Sequence, residues 1–478
     1  MNFLCGLKMI TRKLMLQNQY KLCFILFLCC GMGVKGQVLT LKEAVQTGLN
    51  NYASIKAKTN YLKASQAAVK GASSEYLPDL GVGLQQVYGS ANGIFGPIYA
   101  SRVLSAGSSG PLFPKQTWSS AFGALYVASV NWDFFTFGRV KEQTNVAKAQ
   151  VERESEDLQQ EKFQHEVRVA SAYLNLLVAQ RLRISQEKNL DRASALRSVV
   201  SVRAKNGLNP GVDSSLANAE VSSAKISLTN AIDYEQEQAN QLALLMGIPS
   251  QNFILDTLFI YRIPAPVTDT ATVKEDVHPV LKFYQSRINV SKQQEKYFGR
   301  FKFPVFSVFG SLQGRGSGFH DDYSVFNPDG FSHNYWNGVK PTRTNYLIGM
   351  GVTWSVTSIL RVRHQVAEQH WRSAGLENEY DLMNEQIKAQ LSLADQKMKN
   401  AIENYTEAPV QMKAASDAYR QKSVLYSNGL ATIVDITQAL FTLNRAETDR
   451  DISINNVWQA LLLKSAALGD FSLFINEF

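Results

Sequence analysis

The amino-acid sequence repeats its main landmarks at an offset of 222 residues. The pairs are Asn206-Gly207-Leu208 with Asn428-Gly429-Leu430, Trp132 with Trp354, and Gly247 with Gly469. This period far exceeds the roughly 20–50 residues of a solenoid repeat. A length of 478 residues would by itself suggest about three domains, but the duplication predicts one domain built from two similar half-folds.

The repeats divide the chain into four regions. We predict a secretory signal peptide at 1–36, a first repeat at 37–247, a linker at 248–274 that forms an irregular collar, and a second repeat with a short tail at 275–478. The signal prediction rests on basic residues followed by an apolar run from Leu22 to Val34, which is shorter than the roughly 20 residues of a transmembrane helix. A buried helix is the alternative.

All four cysteines lie within residues 1–36, so the remaining chain has no disulfide or cysteine-based metal site. Cys29 or Cys30 is a candidate for lipidation. Five of the basic residues also lie there, and without them the formal charge falls from +8 to +3 (44 basic minus 41 acidic residues). The basic pI is therefore no argument for nucleic-acid binding.

Two segments alternate between apolar and other side chains over an unusual length. From Phe122 to Phe134 one face carries Phe, Ala, Tyr, Val and Trp, and from Tyr346 to Val356 one face carries Tyr346, Ile348, Met350, Val352 and Trp354. This period of two predicts strands with two different faces. Shorter strands are expected at about 80–88 and 305–313, giving two strands in each half.

The segment from Arg139 to Lys205 has 67 residues without Gly or Pro. As a helix it would extend about 100 Å at ~1.5 Å per residue. Its counterpart runs from Arg361 to Ser427 and contains Pro409, where we expect a bend or break. Return helices are expected from Asp213 to Met246 and from Asp435 to Leu468, and shorter helices at 41–76 and about 276–301. Apolar residues at coiled-coil spacing, such as Ile387, Leu391 and Ala394, predict packing of helix against helix.

Two helix–strand–strand–helix–helix halves behind a signal peptide resemble the TolC family of outer-membrane efflux proteins. The strongest local match is the run Tyr426-Ser427-Asn428-Gly429-Leu430-Ala431-Thr432-Ile433-Val434-Asp435-Ile436, which is similar to the family's Tyr-x-x-Gly-x-x-x-x-Val-Asp-Val run. Residues 206–213 form a weaker counterpart in the first half. The order and spacing of all elements carry the resemblance.

The resemblance implies a mixed α/β membrane protein that assembles as a homotrimer. Each chain would contribute four strands to a 12-stranded barrel in the outer membrane of a Gram-negative bacterium, and long helices to a coiled-coil barrel in the periplasm. It implies passive conduction of small molecules or secreted polypeptides, with no cofactor, and coupling to an inner-membrane transporter through a periplasmic adaptor protein. Closure of the strands into a barrel is also expected on physical grounds, because the unpaired backbone groups of an open strand edge are not tolerated in lipid.

The same resemblance assigns candidate sites. A pore gate would involve Tyr426, Asp435 and Gln438, with Asp213 as the first-half counterpart of Asp435. In the family, Asp435's position gives a ring of three carboxylates whose crowding raises their pKa and attracts cations. Gln438 stands where a second Asp is common, and Ala431 where an Arg is common. Helix capping is the alternative role for Asp213 and Asp435.

Two further groups of residues complete the predictions. The adaptor would dock on the two turns, Asn206, Gly207 and Leu208 in one half and Asn428, Gly429 and Leu430 in the other. An interfacial aromatic belt would contain Trp132, Phe134, Tyr346 and Trp354, which would contact outer-membrane lipid.

The sequence contains no recognisable catalytic or metal-binding motif. Its six histidines lack the spacing of zinc sites, and the glycines at 314–318 lack the strand–helix context of a nucleotide loop. We therefore do not expect an enzyme. The alternatives are a periplasmic coiled-coil adaptor or structural protein, a secreted enzyme, and a soluble β-sandwich with buried aromatic residues.

Overall fold

The computed structural model describes residues 38–93, 110–264, 275 and 277–477. The predicted signal peptide, the cysteines and residues 265–274 of the predicted linker lie outside these ranges. The described residues form two compact units, one within Met1–Ala57, Gln159–Pro279 and Asn384–Phe478, and one within Lys58–Leu158 and Val280–Met383. Each unit draws on both predicted repeats, and the sequence boundaries of the repeats stay a prediction.

Helices make up most of the described chain. They are α1 (Leu41–Asn51), α2 (Ala53–Ser74), α3 (Arg139–Lys205), α4 (Gly211–Met246), α5 (Leu258–Tyr261), α6 (Pro279–Phe298), α7 (Tyr335–Val339), α8 (Ser358–Ser427), α9 (Ile433–Leu468) and α10 (Ser472–Ile475). A 3₁₀ turn at Gly299–Lys302 follows α6. Among the described residues no helix has the length and hydropathy needed to cross a membrane.

The predicted ends of the return helices are confirmed. α4 and α9 end at Met246 and Leu468, and the glycine after each has a left-handed backbone, with φ of 65° at Gly247 and 74° at Gly469. Glycine adopts this conformation without the steric penalty of a Cβ atom, which makes it a common helix terminator.

Of the predicted bend or break at Pro409, the break is wrong, because Pro409 lies inside the continuous 70-residue helix α8, and the bend stays a prediction. Buried alanines flank the proline, with Ala408 on one side and Ala415 on the other. Ala415 belongs to a cluster with Leu443 and Ala446 of α9. Packing against the neighbouring helix therefore holds the backbone helical despite the lost hydrogen bond.

The predicted single helix at 41–76 is also corrected, because Tyr52 separates α1 from α2 with an extended backbone, ψ 125°. Its ring stacks on His165 with 4.0 Å between centroids. His165 is fully buried, and desolvation lowers its pKa below the ordinary value of 6.5. The break thus coincides with a tertiary contact rather than with Gly or Pro.

One antiparallel sheet in the second unit contains strands β1 (Asp79–Ser90), β2 (Ser120–Phe135), β3 (Val305–Ser317) and β4 (Arg343–Thr353), in the order β1-β2-β3-β4. Four strands are therefore confirmed, two from each repeat. β4 ends before Trp354 and Val356, which the sequence had placed on it. The indole of Trp354 instead donates to the carbonyl of Lys302 at 3.1 Å as the chain turns toward α8.

The register gives the sheet two different faces. One row across it contains Val82, Ala128, Leu312 and Tyr346, and the next contains Leu80, Val130, Gly310 and Ile348. Val82 is 90% exposed and Tyr346 81% exposed in the single chain. The opposite face carries mostly small and polar residues, including Ser129, Ser311, Gln313 and Asn345, with Leu125, Val127 and Leu347 as apolar exceptions. The alternation predicted from the sequence is confirmed as one continuous apolar face.

The largest core lies in the helical unit. Trp458 of α9 is buried and its indole donates to the carbonyl of Phe259 at 2.9 Å. Tyr173 of α3 donates to the carbonyl of Leu39 at 2.8 Å and accepts from the backbone of Asp256 at 3.1 Å. These contacts anchor the described part of the predicted collar, 248–264, on the helices.

Candidate functional site at the helical turns

The turns that join α3 to α4 and α8 to α9 have the same backbone hydrogen bonds. In the first, Leu208 N–H donates to the carbonyl of Arg203, and in the second, Leu430 N–H donates to that of Leu425, both at 2.9 Å. Gly207 and Gly429 have φ of 72° and 77°. These are the features of a glycine-terminated helix, and they explain why Asn-Gly-Leu recurs in both halves.

Both turns present exposed apolar side chains. Leu208 and Leu430 are exposed, as are Val212 and Val434 at the starts of the return helices. Each turn therefore exposes one leucine and one valine side chain.

Tyr426, one turn of helix before Gly429, is the buried centre of this region. It is only 3% exposed and packs with Leu196, Val200, Ala217, Ile433 and Ile436. Its hydroxyl accepts from the side-chain amide of Asn209 at 3.2 Å. Burial raises the pKa of the Tyr426 hydroxyl, and the carboxylate of Asp213 raises it further.

Arg203 connects the two turns. Its Nε donates to Asn209 Oδ1 at 2.9 Å, and its Nη1 donates to the carbonyl of Ser427 at 2.8 Å. The guanidinium also lies 5.7 Å from the ring centroid of Tyr426, within cation–π range. Asn209 in turn donates to Asp213 Oδ2 at 2.7 Å. One network therefore links the first turn to the second.

Asp435 is held by contacts within its own chain. Thr432 caps α9, and Asp435 is the third residue of a capping box in which each side chain bonds the other's backbone. Lys422 Nζ lies 3.0 Å from Asp435 Oδ1. The predicted capping role is thus partly correct, with Thr432 as the cap. For Asp213 the side-chain contact is to Asn209, and Pro210 precedes the helix without a side-chain cap.

These contacts lower the pKa of Asp435 from 3.8 to about 2, first through Thr432 and then through Lys422. The lowered pKa is opposite in direction to the rise in pKa expected from a crowded ring of three carboxylates. It arises from contacts within one chain. Gln438 lies one turn further along α9 and is exposed.

The lowered pKa gives a pH dependence. A carboxyl whose folded pKa lies below its unfolded value stabilises the fold above the unfolded pKa, and this contribution is lost as pH falls through the folded pKa. We therefore expect the unfolding midpoints of the wild type and Asp435→Asn to differ at pH 6 and to converge between about pH 4 and pH 2. Thermal unfolding of the purified protein measures both; a constant difference across this range would contradict the assignment.

Sequence reasoning missed Arg203, Asn209 and Lys422. Lys422 and Asp435 flank the second turn with opposite charges, and this pattern could have signalled an ion pair. Arg203 and Ser427 are 224 residues apart, and only the duplication could have suggested that their turns meet.

The predicted aromatic belt is divided between two levels of the sheet. Trp132 and Phe134 lie in contact near the end of β2 that leads to α3, with 6.1 Å between ring centroids. Trp354 lies just past the corresponding end of β4. Tyr346 is eight residues earlier, about 26 Å along an extended chain at ~3.3 Å per residue. It therefore lies toward the opposite end of the sheet.

The described part of the chain contains no cluster of His, Cys, Asp and Glu that could hold a metal ion. The described residues combine a sheet with one apolar face, very long paired helices and two linked turns.

Comparison with known proteins agrees with this architecture. Residues 123–248 match the family described as outer membrane efflux protein. A comparison with curated proteins finds no match.

Solved structures extend the likeness to 90% of the chain. These include the outer-membrane channel OprN (16% identity, 89% of its chain, TM-score 0.69), VceC from Vibrio cholerae (15%, 96%, 0.68) and CmeC from Campylobacter jejuni (13%, 85%, 0.69). At these identities the likeness concerns the fold. The comparisons confirm the resemblance to TolC-family outer-membrane efflux proteins and the predicted combination of long helices with a four-stranded sheet. The predicted outer-membrane localisation agrees with the description of the matching family.

Proposed function

We propose that this protein is a trimeric outer-membrane channel that conducts solutes passively out of the periplasm. The observation that carries the proposal is the sheet. Its apolar face is exposed in the single chain, and in the described residues β1 pairs only with β2 and β4 only with β3. Two further copies would pair these edges into 12 strands and place the apolar face against lipid, which satisfies the backbone without water.

The aromatic residues support the same placement. Trp132, Phe134 and Trp354 would form the girdle at the helix end of the sheet, and Tyr346 would belong to the opposite girdle. Transmembrane barrels carry aromatic girdles at both interfaces. The division of the predicted belt between two levels therefore fits a sheet that spans a bilayer.

The two helical turns are proposed as the periplasmic tip. Leu208, Leu430, Val212 and Val434 would contact a periplasmic adaptor protein, which couples the channel to an inner-membrane transporter. Tyr426, Asp213, Asp435 and Gln438 would form the gate region. The link from Arg203 to the carbonyl of Ser427 supports this assignment, because it ties the two turns of one chain together.

The alternative of a periplasmic coiled-coil adaptor predicts no amphipathic strand longer than about nine residues. All four strands exceed this length, from 11 residues in β4 to 16 in β2. This observation favours a channel. We also propose that the protein is not an enzyme, since no convergent polar site for catalysis was recognised in the sequence.

The gate assignment is tested by conductance in planar bilayers. Wild-type protein is expected to form discrete channels that divalent cations such as Mg²⁺ or Co²⁺ block. Asp435→Asn removes the charge but keeps an oxygen for the Thr432 N–H, so it is expected to weaken the block by about tenfold.

Asp381→Asn is the matched control, because it removes an exposed carboxylate of α8 outside the proposed gate region. Equal block of the wild type and Asp435→Asn would show that Asp435 is not the gate. Absence of any channel, together with a monomer that shows no heat-dependent shift on gels, would contradict the proposed function itself.

A further inference from the structure

Two arginines lie directly opposite each other at the loop end of the sheet. Arg315 of β3 and Arg343 of β4 are register partners. Side chains of directly opposed residues leave the sheet on the same side, with Cβ atoms about 4.5–5.5 Å apart, and like charges in such a pair are destabilising. An anion between them would remove the repulsion.

The pair lies on the polar face of the sheet. Gln313 and Asn345 are also register partners, two positions away, and therefore share this face. The apolar face with Tyr346 and Ile348 is the other one. Since the proposed channel places the apolar face against lipid, the arginines face the lumen, and a soluble anion rather than a lipid headgroup would reach them.

The arginines line a cavity of about 780 Å³, a size typical of small-molecule sites. Its charged side chains are those of Arg315, Lys340, Arg343 and Asp321. Arg343 Nη2 lies 2.7 Å from Asp321 Oδ2, and Arg315 Nη2 donates to Gln313 Oε1 at 3.2 Å. With three cationic groups and one carboxylate, the cavity carries a net positive charge.

Close packing fixes one wall of the cavity. A Cβ atom on Gly316 would lie 2.6 Å from the carbonyl of Gly338 in α7, so glycine allows this helix to lie directly on β3. Tyr126 Oη donates to the carbonyl of Val339 at 3.0 Å. Gly316 and Tyr126 belong to the apolar face, so α7 packs on that side of the sheet, and exposed Trp336 borders the cavity from there.

We propose that this cavity binds a soluble, phosphate-bearing anion. The two guanidinium groups would hold the phosphate oxygens, because their planar forks match an oxyanion and remain charged at any physiological pH. Lys340 would add a third positive charge. The lumenal position of the site rests on the proposed channel, whereas the binding itself does not.

Isothermal titration of the purified, detergent-solubilised protein with inorganic pyrophosphate tests the site without any need for conductance. Binding is expected, and Arg315→Gln and Arg343→Gln should each weaken it at least about tenfold. Arg363→Gln, the same change at an exposed position of α8, should leave it unchanged. Arg343→Lys keeps the positive charge but not the planar guanidinium group. It should bind pyrophosphate more weakly than the wild type and more tightly than Arg343→Gln.

Three results would overturn the proposal. They are no binding of pyrophosphate at millimolar concentration, equal affinity in the two cavity variants and the wild type, or an equal loss in Arg363→Gln. A second titration uses a short-chain phosphatidic acid. If it binds to the arginine pair and pyrophosphate does not, the site recognises a lipid headgroup and the soluble ligand is wrong. Failure to form channels would leave the binding result standing and contradict only the proposed function.

Discussion

Gly469→Ala is expected to destabilise the protein much more than Gly429→Ala, although both glycines have nearly the same backbone. Their φ values are 74° and 77°. A Cβ atom at either position adds the strain of a left-handed residue, about 1–2 kcal/mol. At Gly469 it would also lie 2.6 Å from Cδ2 of buried His278, whereas at Gly429 the nearest atom is Nη2 of Arg203 at 3.7 Å.

The collision at Gly469 should add about 1–3 kcal/mol, as in other overpacked cores. The first half offers an independent repeat of the experiment. Gly247→Ala would place a Cβ atom 3.0 Å from the backbone of Asn51, while Gly207→Ala meets nothing within 4 Å. The free energy of unfolding in urea, or the thermal midpoint, measures all four. Equal losses at Gly469 and Gly429 would show that backbone strain alone matters.

Tyr426→Ala is expected to have the second large effect, and to release the two turns from each other. It removes a nearly fully buried aromatic ring from its cluster, which typically costs about 3–5 kcal/mol. Tyr426→Phe keeps the ring and removes only the hydroxyl that accepts from Asn209, so it should cost about 1 kcal/mol. In the proposed channel the alanine variant should raise single-channel conductance, because the closed arrangement of the turns is weakened.

Two measurements separate the structural and functional parts of this prediction. Limited proteolysis reports loosening at the turns, and bilayer conductance reports opening. Cleavage near residue 428 that increases in Tyr426→Ala without a change in conductance would place Tyr426 in the fold but not in the gate. An alanine variant that resists protease like the wild type would contradict the packing role itself.

Local patterns in the sequence predicted much of the fold. The bounds of α3, the glycine-terminated helices and the two faces of the sheet follow from residue spacing and from Gly, because these features depend on neighbours along the chain. The break between α1 and α2 at Tyr52 and the continuity of α8 at Pro409 do not follow from local patterns. Both coincide with contacts between residues distant in sequence, the Tyr52–His165 stack in one case and the packing of Ala415 against α9 in the other.

The candidate site was predicted less completely than the fold. The Asn-Gly-Leu turns, Tyr426 and Asp435 were identified from the repeat and from the family resemblance. Thr432 as the true cap could have been recognised from the Thr-x-x-Asp spacing at the start of α9. The duplication could have suggested that the two turns meet, but it does not indicate that the side chain of Arg203 would donate to the carbonyl of Ser427.

The two tryptophans at the helix end of the sheet are already hydrogen-bonded within the protein. The indole of Trp132 donates to the carbonyl of Tyr76 at 2.8 Å, and that of Trp354 donates to Lys302. In the proposed membrane setting these rings cannot shift freely toward the headgroups when bilayer thickness changes. Hydrophobic mismatch at this edge would then be met by thinning or thickening of the surrounding lipid, not by reorientation of the side chains.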